Sequence, residues 1–216
     1  MAKLNRGKTT KLSIRLSVTA RQKIEMAAKN LGISLGGVIL FELTKIMKNP
    51  PSLADVEELK SKIRLEPNHF VLTISTQLID KINVMSEDYG TKKNVLIGYM
   101  VSDHFEKLDV DNEEKDFESK RIMLQVNETL KKKMIEYSEE NYIPLNALVS
   151  YSVLQGPYEG FPSYETDVTE QIFTKVPEYI GQIIKEESIE GNMREHFYSS
   201  LCLFKQFMTP EGRFYK

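Results

Sequence analysis

The chain of 216 residues has few of the residues that build disulfide-bonded, metal-binding and membrane proteins. Its one cysteine, Cys202, cannot form an internal disulfide, and its three histidines share no zinc-ligand spacing with that cysteine or with each other. No apolar run reaches the ~18 residues that a membrane span needs, and the first residues lack the apolar core of a signal peptide. We therefore expect a cytoplasmic protein with no metal, no cofactor and no membrane partner.

Sequence motifs of common enzyme classes are also missing. The chain contains no Gly-x-Ser-x-Gly and no His-Glu-x-x-His, and no Gly-Lys-Ser or Gly-Lys-Thr follows Gly36 and Gly37. The acidic stretch from Asp109 to Asp116 lacks the glycine that a calcium loop carries at its sixth position. The sequence thus predicts no catalytic residues and favours a binding function over an enzyme.

Charge is unevenly distributed along the chain, although the total is only -2. Residues 1–50 contain ten Lys or Arg and two Glu, a net charge of +8, whereas residues 51–117 have a net charge of -6. Phosphate neutralisation depends on local Lys and Arg. A basic working surface near the N-terminus, on an otherwise acidic chain, is therefore expected to face an anionic partner.

A pattern of one alternating strand followed by two amphipathic helices occurs three times, at offsets of 58 and then 52 residues. Apolar residues at every second position predict the strands Lys11–Ser17, Phe70–Ser75 and Ile122–Val126. A left-handed residue is predicted to end each first helix, at Gly32, Gly90 and Tyr142. Ser34 and Thr91 are predicted as N-caps of the second helices in copies one and two, and Pro144 is predicted in the first helical turn in copy three.

The first copy resembles a known family of DNA-binding proteins. Its strand Leu12-Ser-Ile-Arg-Leu-Ser, the step from Leu16 to Gly32 and the helix opening Ile33-Ser34-Leu35 are similar to the ribbon-helix-helix fold of Arc, MetJ and CopG-type proteins. The resemblance covers about 125 residues over the three copies and is weakest in the third. It implies that strands of two copies pair as an antiparallel ribbon, which enters the DNA major groove.

The resemblance also implies which residues contact DNA. Base contacts are expected from the outward side chains of the first strand, Lys11, Ser13 and Arg15, because Arg can donate two parallel hydrogen bonds to guanine. Phosphate contacts are expected from Lys8 and from the start of the second helix, at Ser34, Leu35 and Gly36. In the other copies the outward strand residues are uncharged, which suits the major groove poorly; the weaker DNA candidates there are Thr73, Lys92, Lys93 and Gln125.

The expected fold class is α+β and mostly α, with three tandem strand-helix-helix units followed by a helical segment. The predicted domains are a basic unit (1–49), a linker (50–67), a second unit (68–108), an acidic linker (109–118), a degenerate third unit (119–156) and a C-terminal oligomerisation or partner module (157–216). Helices of this last module are predicted around Thr169–Thr174, Pro177–Glu187 and Asn192–Phe207. Its aromatic stripe either packs on the third copy or forms a partner surface: Phe197, Tyr198, Leu201, Phe204 and Phe207.

One strand with two helices cannot stand alone, because the strand has no ladder partner. In the preferred arrangement, copies two and three pair within one chain, and copy one pairs with copy one of a second chain to form a homodimer. Pro50 and Pro51 in the connection would let copy one stand apart. In the rival arrangement, copy one pairs with copy two and copy three dimerises.

The expected function is sequence-specific binding of double-stranded DNA at a palindromic or repeated site. Fused tandem copies resemble accessory proteins of conjugative-plasmid relaxosomes, which bind an origin of transfer and help to place a relaxase. A transcriptional repressor of copy number, an antitoxin or a conjugation operon would use the same DNA surface. A partition adaptor would bind repeated DNA and, through its C-terminal helices, a filament or motor protein. A protein-interaction scaffold is the alternative without DNA, against which Arg15 and the basic segment argue.

Overall fold

A computed structural model of the chain describes residues 8–110 and 113–215. The fold over these residues is α+β and mostly helical. Lys3 and Arg6 of the predicted basic segment lie outside the described residues. The elements follow one another as β1 (Thr9–Arg15), α1 (Val18–Leu31), α2 (Leu35–Ile46), α3 (Leu53–Lys62), β2 (His69–Ser75), α4 (Thr76–Asp88), α5 (Lys93–Lys107), β3 (Ser119–Asn127), α6 (Glu128–Asn141), α7 (Leu145–Leu154), β4 (Thr169–Pro177), α8 (Glu178–Glu190) and α9 (Glu195–Met208).

Membrane-spanning length is not reached by any one helix of residues 8–110 and 113–215. Only the bent pair α1 and α2, taken together, passes a test of length and composition.

The strand-helix-helix pattern occurs four times in the described part of the chain. The fourth copy consists of β4, α8 and α9, so the helix predicted over Thr169–Thr174 is wrong and that segment is a strand. A backbone feature marks the end of the first helix in every copy: one or two residues after that helix, φ is positive, at Gly32 (65°), Gly90 (57°), Tyr142 (58°) and Asn192 (48°). This conformation ends a helix and turns the chain, as predicted for the first three copies.

The second helix begins as predicted in copy one. Ser34 is the N-cap of α2, and its Oγ accepts a hydrogen bond of 3.1 Å from the Gly37 N–H. Pro144, predicted in the first helical turn of copy three, lies just before that turn as the N-cap of α7. Thr91 was expected to begin α5 but does not, because the N-cap is Lys92. The Thr91 side chain is buried and accepts a hydrogen bond of 2.9 Å from the Lys60 ammonium, which holds it away from the helix start.

Strand pairing takes place within the chain. β1 pairs with β2 in antiparallel register, with Ser13 opposite Val71, and β3 pairs with β4, with Met123 opposite Phe173. The prediction that copies two and three pair, and that copy one needs a second chain, is therefore wrong. The rival arrangement is right for copies one and two only, because copy three finds its ladder partner in the fourth copy.

The connection between copies one and two contains a helix, α3, within the residues predicted as a linker. Ser52 and Asp55 form a capping box: the Ser52 Oγ accepts from the Asp55 N–H, and the Asp55 carboxylate accepts from the Ser52 N–H at 2.8 Å. Val56, Leu59 and Ile63 are buried, and α3 packs against α5. The connection is thus a folded element that returns the chain to β1, which explains why copy one does not stand apart.

The described residues fall into two compact units. The first consists of residues 8–28, 34–110 and 139–142 and holds the β1–β2 ribbon. Beneath that ribbon α5 packs against β1, and α2 packs against β2 and α5. Ile14 and Leu72 on the inner face of the ribbon are fully buried. The inward alternation predicted for these strands is therefore confirmed.

The second unit consists of residues 29–33, 113–138 and 143–215 and holds the β3–β4 ribbon. Its core contains an aromatic cluster in which the Phe214 ring lies 4.9 Å from the Tyr137 ring and 4.8 Å from the Phe207 ring. Four residues of the predicted aromatic stripe on α9 are buried, and Phe197 alone among the five is exposed. The stripe therefore belongs to the interior of this unit, since α9 packs against α7 and β3.

Candidate nucleic-acid interface

The outer face of the β1–β2 ribbon brings together three residues from each strand. Lys11, Ser13 and Arg15 alternate with inward residues of β1, and the register places Thr73, Val71 and His69 opposite them in that order. Lys11, Arg15, Val71 and His69 are exposed, while Ser13 and Thr73 are half-buried. This set of six is called the first ribbon face below. The structure thus places the three predicted base-contacting residues on one side of a two-stranded ribbon.

Hydrogen bonds on the first ribbon face centre on the ring of His69. Arg15 Nε donates to His69 Nε2 at 3.3 Å, and Arg15 Nη2 lies 3.2 Å from the same nitrogen. Ser13 Oγ lies 3.0 Å from His69 Nδ1. A neutral ring that carries its proton on Nδ1 satisfies both contacts, because Nε2 then accepts from Arg15 and Nδ1 donates to Ser13. One side chain from β2 therefore orients two of the predicted base-contacting residues on β1.

The electrostatics of the first ribbon face are those of an anion-facing surface. Two of its six residues, Lys11 and Arg15, are basic, and none is acidic. The remaining side chains offer a hydroxyl on Ser13 and on Thr73 and methyl groups on Val71. Hydrogen-bond donors, hydroxyls and methyl groups are the chemistry with which proteins distinguish base edges in the major groove.

The predicted phosphate contacts of copy one lie at the ends of their elements. Lys8 is exposed, and its carbonyl accepts a hydrogen bond of 2.9 Å from Thr76 N–H. Leu35 and Gly36 form the first turn of α2 beside Ser34, where backbone N–H groups point out of the helix. Such a helix start attracts an anion through these groups and through the helix dipole.

In copy two, the weaker phosphate candidates lie at the start of α5. Lys92 is the exposed N-cap, and no side chain caps this helix start. Lys93 is half-buried and donates to Asn83 Oδ1 at 3.1 Å. Lys92 is therefore the freer of the two ammonium groups.

The β3–β4 ribbon presents an outer face of the same kind. Its six outward residues form the pairs Arg121 with Lys175, Met123 with Phe173, and Gln125 with Gln171. None of them is acidic, and Met123 and Phe173 are 45% and 59% exposed. Gln125 Nε2 donates to Thr169 Oγ1 at 3.1 Å. This set is called the second ribbon face below, and it has a basic end, an apolar centre and an amide end.

Five outward residues were missed in the sequence, and each left a signal. His69 and Arg121 precede the predicted strand starts by one residue, yet the offsets of 58 and 52 residues place them level with Lys11. Gln171, Phe173 and Lys175 lie on the unrecognised β4, where they alternate with the buried Ile172 and Val176. The repeat offsets would have found the first two, and the alternation along β4 the other three.

Burial favours the neutral forms of two neighbouring side chains in the second unit, Cys202 and Tyr198. Burial raises the pKa of the Cys202 thiol to about 12, and burial likewise raises the pKa of the neighbouring Tyr198 hydroxyl. Within residues 8–110 and 113–215, no three His, Cys, Asp or Glu side chains group as metal ligands.

Comparison with protein-family models, with curated proteins and with solved structures found no significant match to this chain.

Proposed function

We propose that this chain is a ribbon-helix-helix protein that binds double-stranded DNA sequence-specifically through the first ribbon face. The observation that carries the proposal is the arrangement of Lys11, Ser13 and Arg15 beside His69 on one face with no acidic residue. A two-stranded ribbon has the width to enter the major groove. The resemblance of the sequence to the ribbon-helix-helix family supports the same conclusion.

The proposed readout uses two kinds of contact. Arg15 donates two parallel hydrogen bonds to guanine O6 and N7, and such a pair discriminates against the wrong base by ~1–3 kcal/mol. Ser13 and Thr73 contact base edges through their hydroxyls, and Val71 contacts a thymine methyl group. The starts of α2 and α5 hold phosphates on either strand of the duplex, which positions the protein without specifying sequence.

The second ribbon face supports a second base-facing surface in the same chain. Gln125 and Gln171 lie directly opposite each other, and an amide can pair with the N6 and N7 edge of adenine. Arg121 and Lys175 supply positive charge at the other end. Two linked binding surfaces raise the local concentration of each for its half of a composite site. The proposed DNA site therefore has two parts.

The symmetry of each part follows from strand pairing. The expectation of a palindromic site rested on pairing of two identical strands, which the structure contradicts. The two strands of the first ribbon differ at every outward position, with Lys11, Ser13 and Arg15 on β1 and His69, Val71 and Thr73 on β2. The sequence read by one ribbon is therefore proposed to be asymmetric. A second copy of the chain is not needed to complete either ribbon, and self-association remains a prediction.

For the biological role, an accessory factor that binds an origin-of-transfer region is favoured. Two ribbons in one chain suit a protein that occupies several neighbouring sites and presents a partner, such as a relaxase, at a fixed place. Repression of a plasmid operon is the alternative, and a partition adaptor that binds repeated DNA is a further one. Footprinting that shows protection of an origin of transfer, and not of a promoter or a repeat array, would favour the accessory factor.

Selection of bound duplexes from a random DNA pool tests the DNA-binding proposal. Wild type and Arg15→Ala are compared at low salt, with circular dichroism as a check of fold. An enriched motif that is lost in the variant supports readout by the first ribbon face. No enrichment by wild type would overturn the proposal and leave a protein-interaction scaffold.

A further inference from the structure

A basic cleft lies beside one end of the first ribbon. It has a volume of about 680 Å³ and is bounded by that ribbon end, by the start of α5 and by the C-terminal end of α3 with the residues that follow it. Six of its lining residues carry or can carry positive charge: Arg15, His69, Lys60, Lys62, Arg64 and Lys92. None of the twelve described lining residues is acidic. The cleft therefore continues the charge of the first ribbon face onto α3 and α5.

Charges on the α3 side of the cleft are weakly engaged. Lys62 pairs with Glu58 one turn back, where both side chains are more than half exposed. Lys60 pairs with Glu57 at 2.5 Å and is anchored by Thr91. Water screens the charges of an exposed ion pair such as Lys62 with Glu58, so a phosphate can replace the carboxylate. Arg64 is exposed and makes no hydrogen bond or ion pair within the described residues.

The position of α3 is set by its own packing. The Ser52 and Asp55 capping box starts the helix, and buried Val56 and Leu59 anchor it in the first unit, where it packs on α5. The Ile63 side chain is also buried, which fixes the chain between Lys62 and Arg64. The buried residues around them therefore hold Lys62 and Arg64 in the lining of the cleft.

We propose that this cleft seats the sugar-phosphate backbone of the duplex whose bases the first ribbon face reads, so that α3 acts as a one-sided phosphate clamp. The inference rests on the proposed function. Lys62, Arg64 and Lys92 provide the charges, and the uncapped start of α5 adds backbone N–H groups. Because α3 lies next to the Arg15 end of the ribbon, backbone contact extends further on that flank of the site than on the other.

The test compares two variants of the full chain. Lys62→Gln with Arg64→Gln removes two cations from the cleft. Lys107→Gln is the matched control for Lys62, because Lys107 is 74% exposed, pairs with Asp103 one turn back, and lies at the opposite end of α5 from Lys92. Binding to the selected duplex is measured over a range of salt concentrations, and the protected backbone is mapped by hydroxyl-radical footprinting.

The expected result is a change in the double variant alone. Each lost phosphate contact lowers the steepness of log K against log salt by about 0.9, so the double variant loses about 2, and its footprint shortens on one flank. The motif it selects stays that of wild type. Equal behaviour of the double variant and Lys107→Gln would overturn the clamp while leaving base readout by Arg15 intact.

A free phosphate ligand is the competing occupant, and ATP serves as its probe. ATP that bound in a Lys62- and Arg64-dependent way, with duplex binding unchanged in the double variant, would overturn the clamp in favour of a soluble ligand. If ATP weakens duplex binding only as much as salt of the same ionic strength does, the clamp is supported. Absence of any selected motif in wild type overturns the proposed function itself, so the two failures are distinguishable.

Discussion

Arg15 and His69 face each other across the β1–β2 ribbon, and the Arg15 guanidinium lies 3.2 Å from His69 Nε2. The same ring reaches Ser13 Oγ through Nδ1 at 3.0 Å. His69 is thus a positioning residue: it holds the guanidinium at the ribbon end instead of leaving it to sample its many rotamers.

From this contact we expect Arg15 and His69 to act as a coupled pair in base discrimination. Arg15→Ala should lose ~1–3 kcal/mol of discrimination at one base pair, because the bidentate contact is removed. His69→Ala should weaken preference at that same base pair by less, since the guanidinium remains but is no longer oriented. Competition binding with single-base variants of the selected site measures both.

The double variant completes the cycle. A loss in Arg15→Ala with His69→Ala smaller than the sum of the single losses would show the coupling. Additive losses, or effects at different base pairs, would contradict the orienting role of His69. Thr10→Ala is the control for an alanine substitution in β1, because Thr10 is exposed and lies near the opposite end of that strand from Arg15.

The second ribbon face gives an independent prediction. Arg121→Ala with Lys175→Ala should leave the fold intact, because both side chains are exposed. It should remove one part of the composite site from the selected motif and leave the part that the first ribbon face reads. Lys132→Ala with Lys185→Ala removes the same charge from exposed positions of α6 and α8 and serves as the control. Equal weakening in both double variants would mean that the second ribbon face contributes only general charge.

Two helical glycines in the first unit should respond oppositely to alanine. A Cβ at Gly98 would lie 2.5 Å from the Arg15 carbonyl oxygen, where α5 approaches β1, whereas a Cβ at Gly36 would lie 3.7 Å from Leu72 Cδ1, an ordinary contact. We expect Gly98→Ala to lower the free energy of unfolding by ~1–3 kcal/mol through overpacking. Gly36→Ala should be neutral or stabilising by up to ~1 kcal/mol, because it removes freedom from the unfolded chain.

Urea unfolding of the two glycine variants at one temperature checks this prediction. Equal stability of the Gly98 and Gly36 variants would mean that β1 moves away from α5 without cost. Gly98→Ala should also weaken base discrimination, since the displaced carbonyl belongs to Arg15 itself.

The buried thiol in the second unit predicts a dependence of stability on pH. Because burial raises the pKa of Cys202 from 9.0 to about 12, the unfolded chain loses the thiol proton first as pH rises. The contribution to stability is therefore complete below pH 9.0 and declines between 9.0 and about 12. Native protein should also fail to react with a disulfide reagent at mildly alkaline pH, and should react once unfolded in urea.

Cys202→Ala isolates that effect, because the variant has no thiol to ionise. Its free energy of unfolding should therefore fall less than that of wild type above pH 9.0. Rapid labelling of the native thiol would contradict the burial of Cys202. Urea unfolding of wild type and variant at several alkaline pH values is the measurement.

Local features of this protein were readable from the sequence, because they depend on neighbours a few residues apart. Alternation along β1 follows from the two-residue period of a strand, and it placed Lys11 and Arg15 on the outer side correctly. Gly32, Gly90 and Tyr142 were correctly predicted as left-handed, since a helix end needs that conformation for its turn. The N-cap at Ser34 rests on a hydroxyl three residues before Gly37.

The fourth copy was overlooked for a local reason too. Its strand carries Glu170 and the exposed Phe173, and the left-handed position after α8 is Asn192, next to the C-cap Gly191, instead of the glycine that marked the first two copies. The aromatic side chains of α9 then favoured a helical partner module, whereas Tyr198 and Phe207 are buried in the core.

Only the tertiary structure decided which strands pair and what surrounds them. A strand's hydrogen-bonding groups accept any antiparallel partner, so β1 alone does not specify β2; the folded α3 and the packing of α2 and α5 beneath the ribbon make that choice. The contact of His69 with Arg15 and the cleft shared by Lys62, Arg64 and Lys92 join residues from separate elements. Such juxtapositions depend on how those elements pack, and periodicity along the chain carries no information about them.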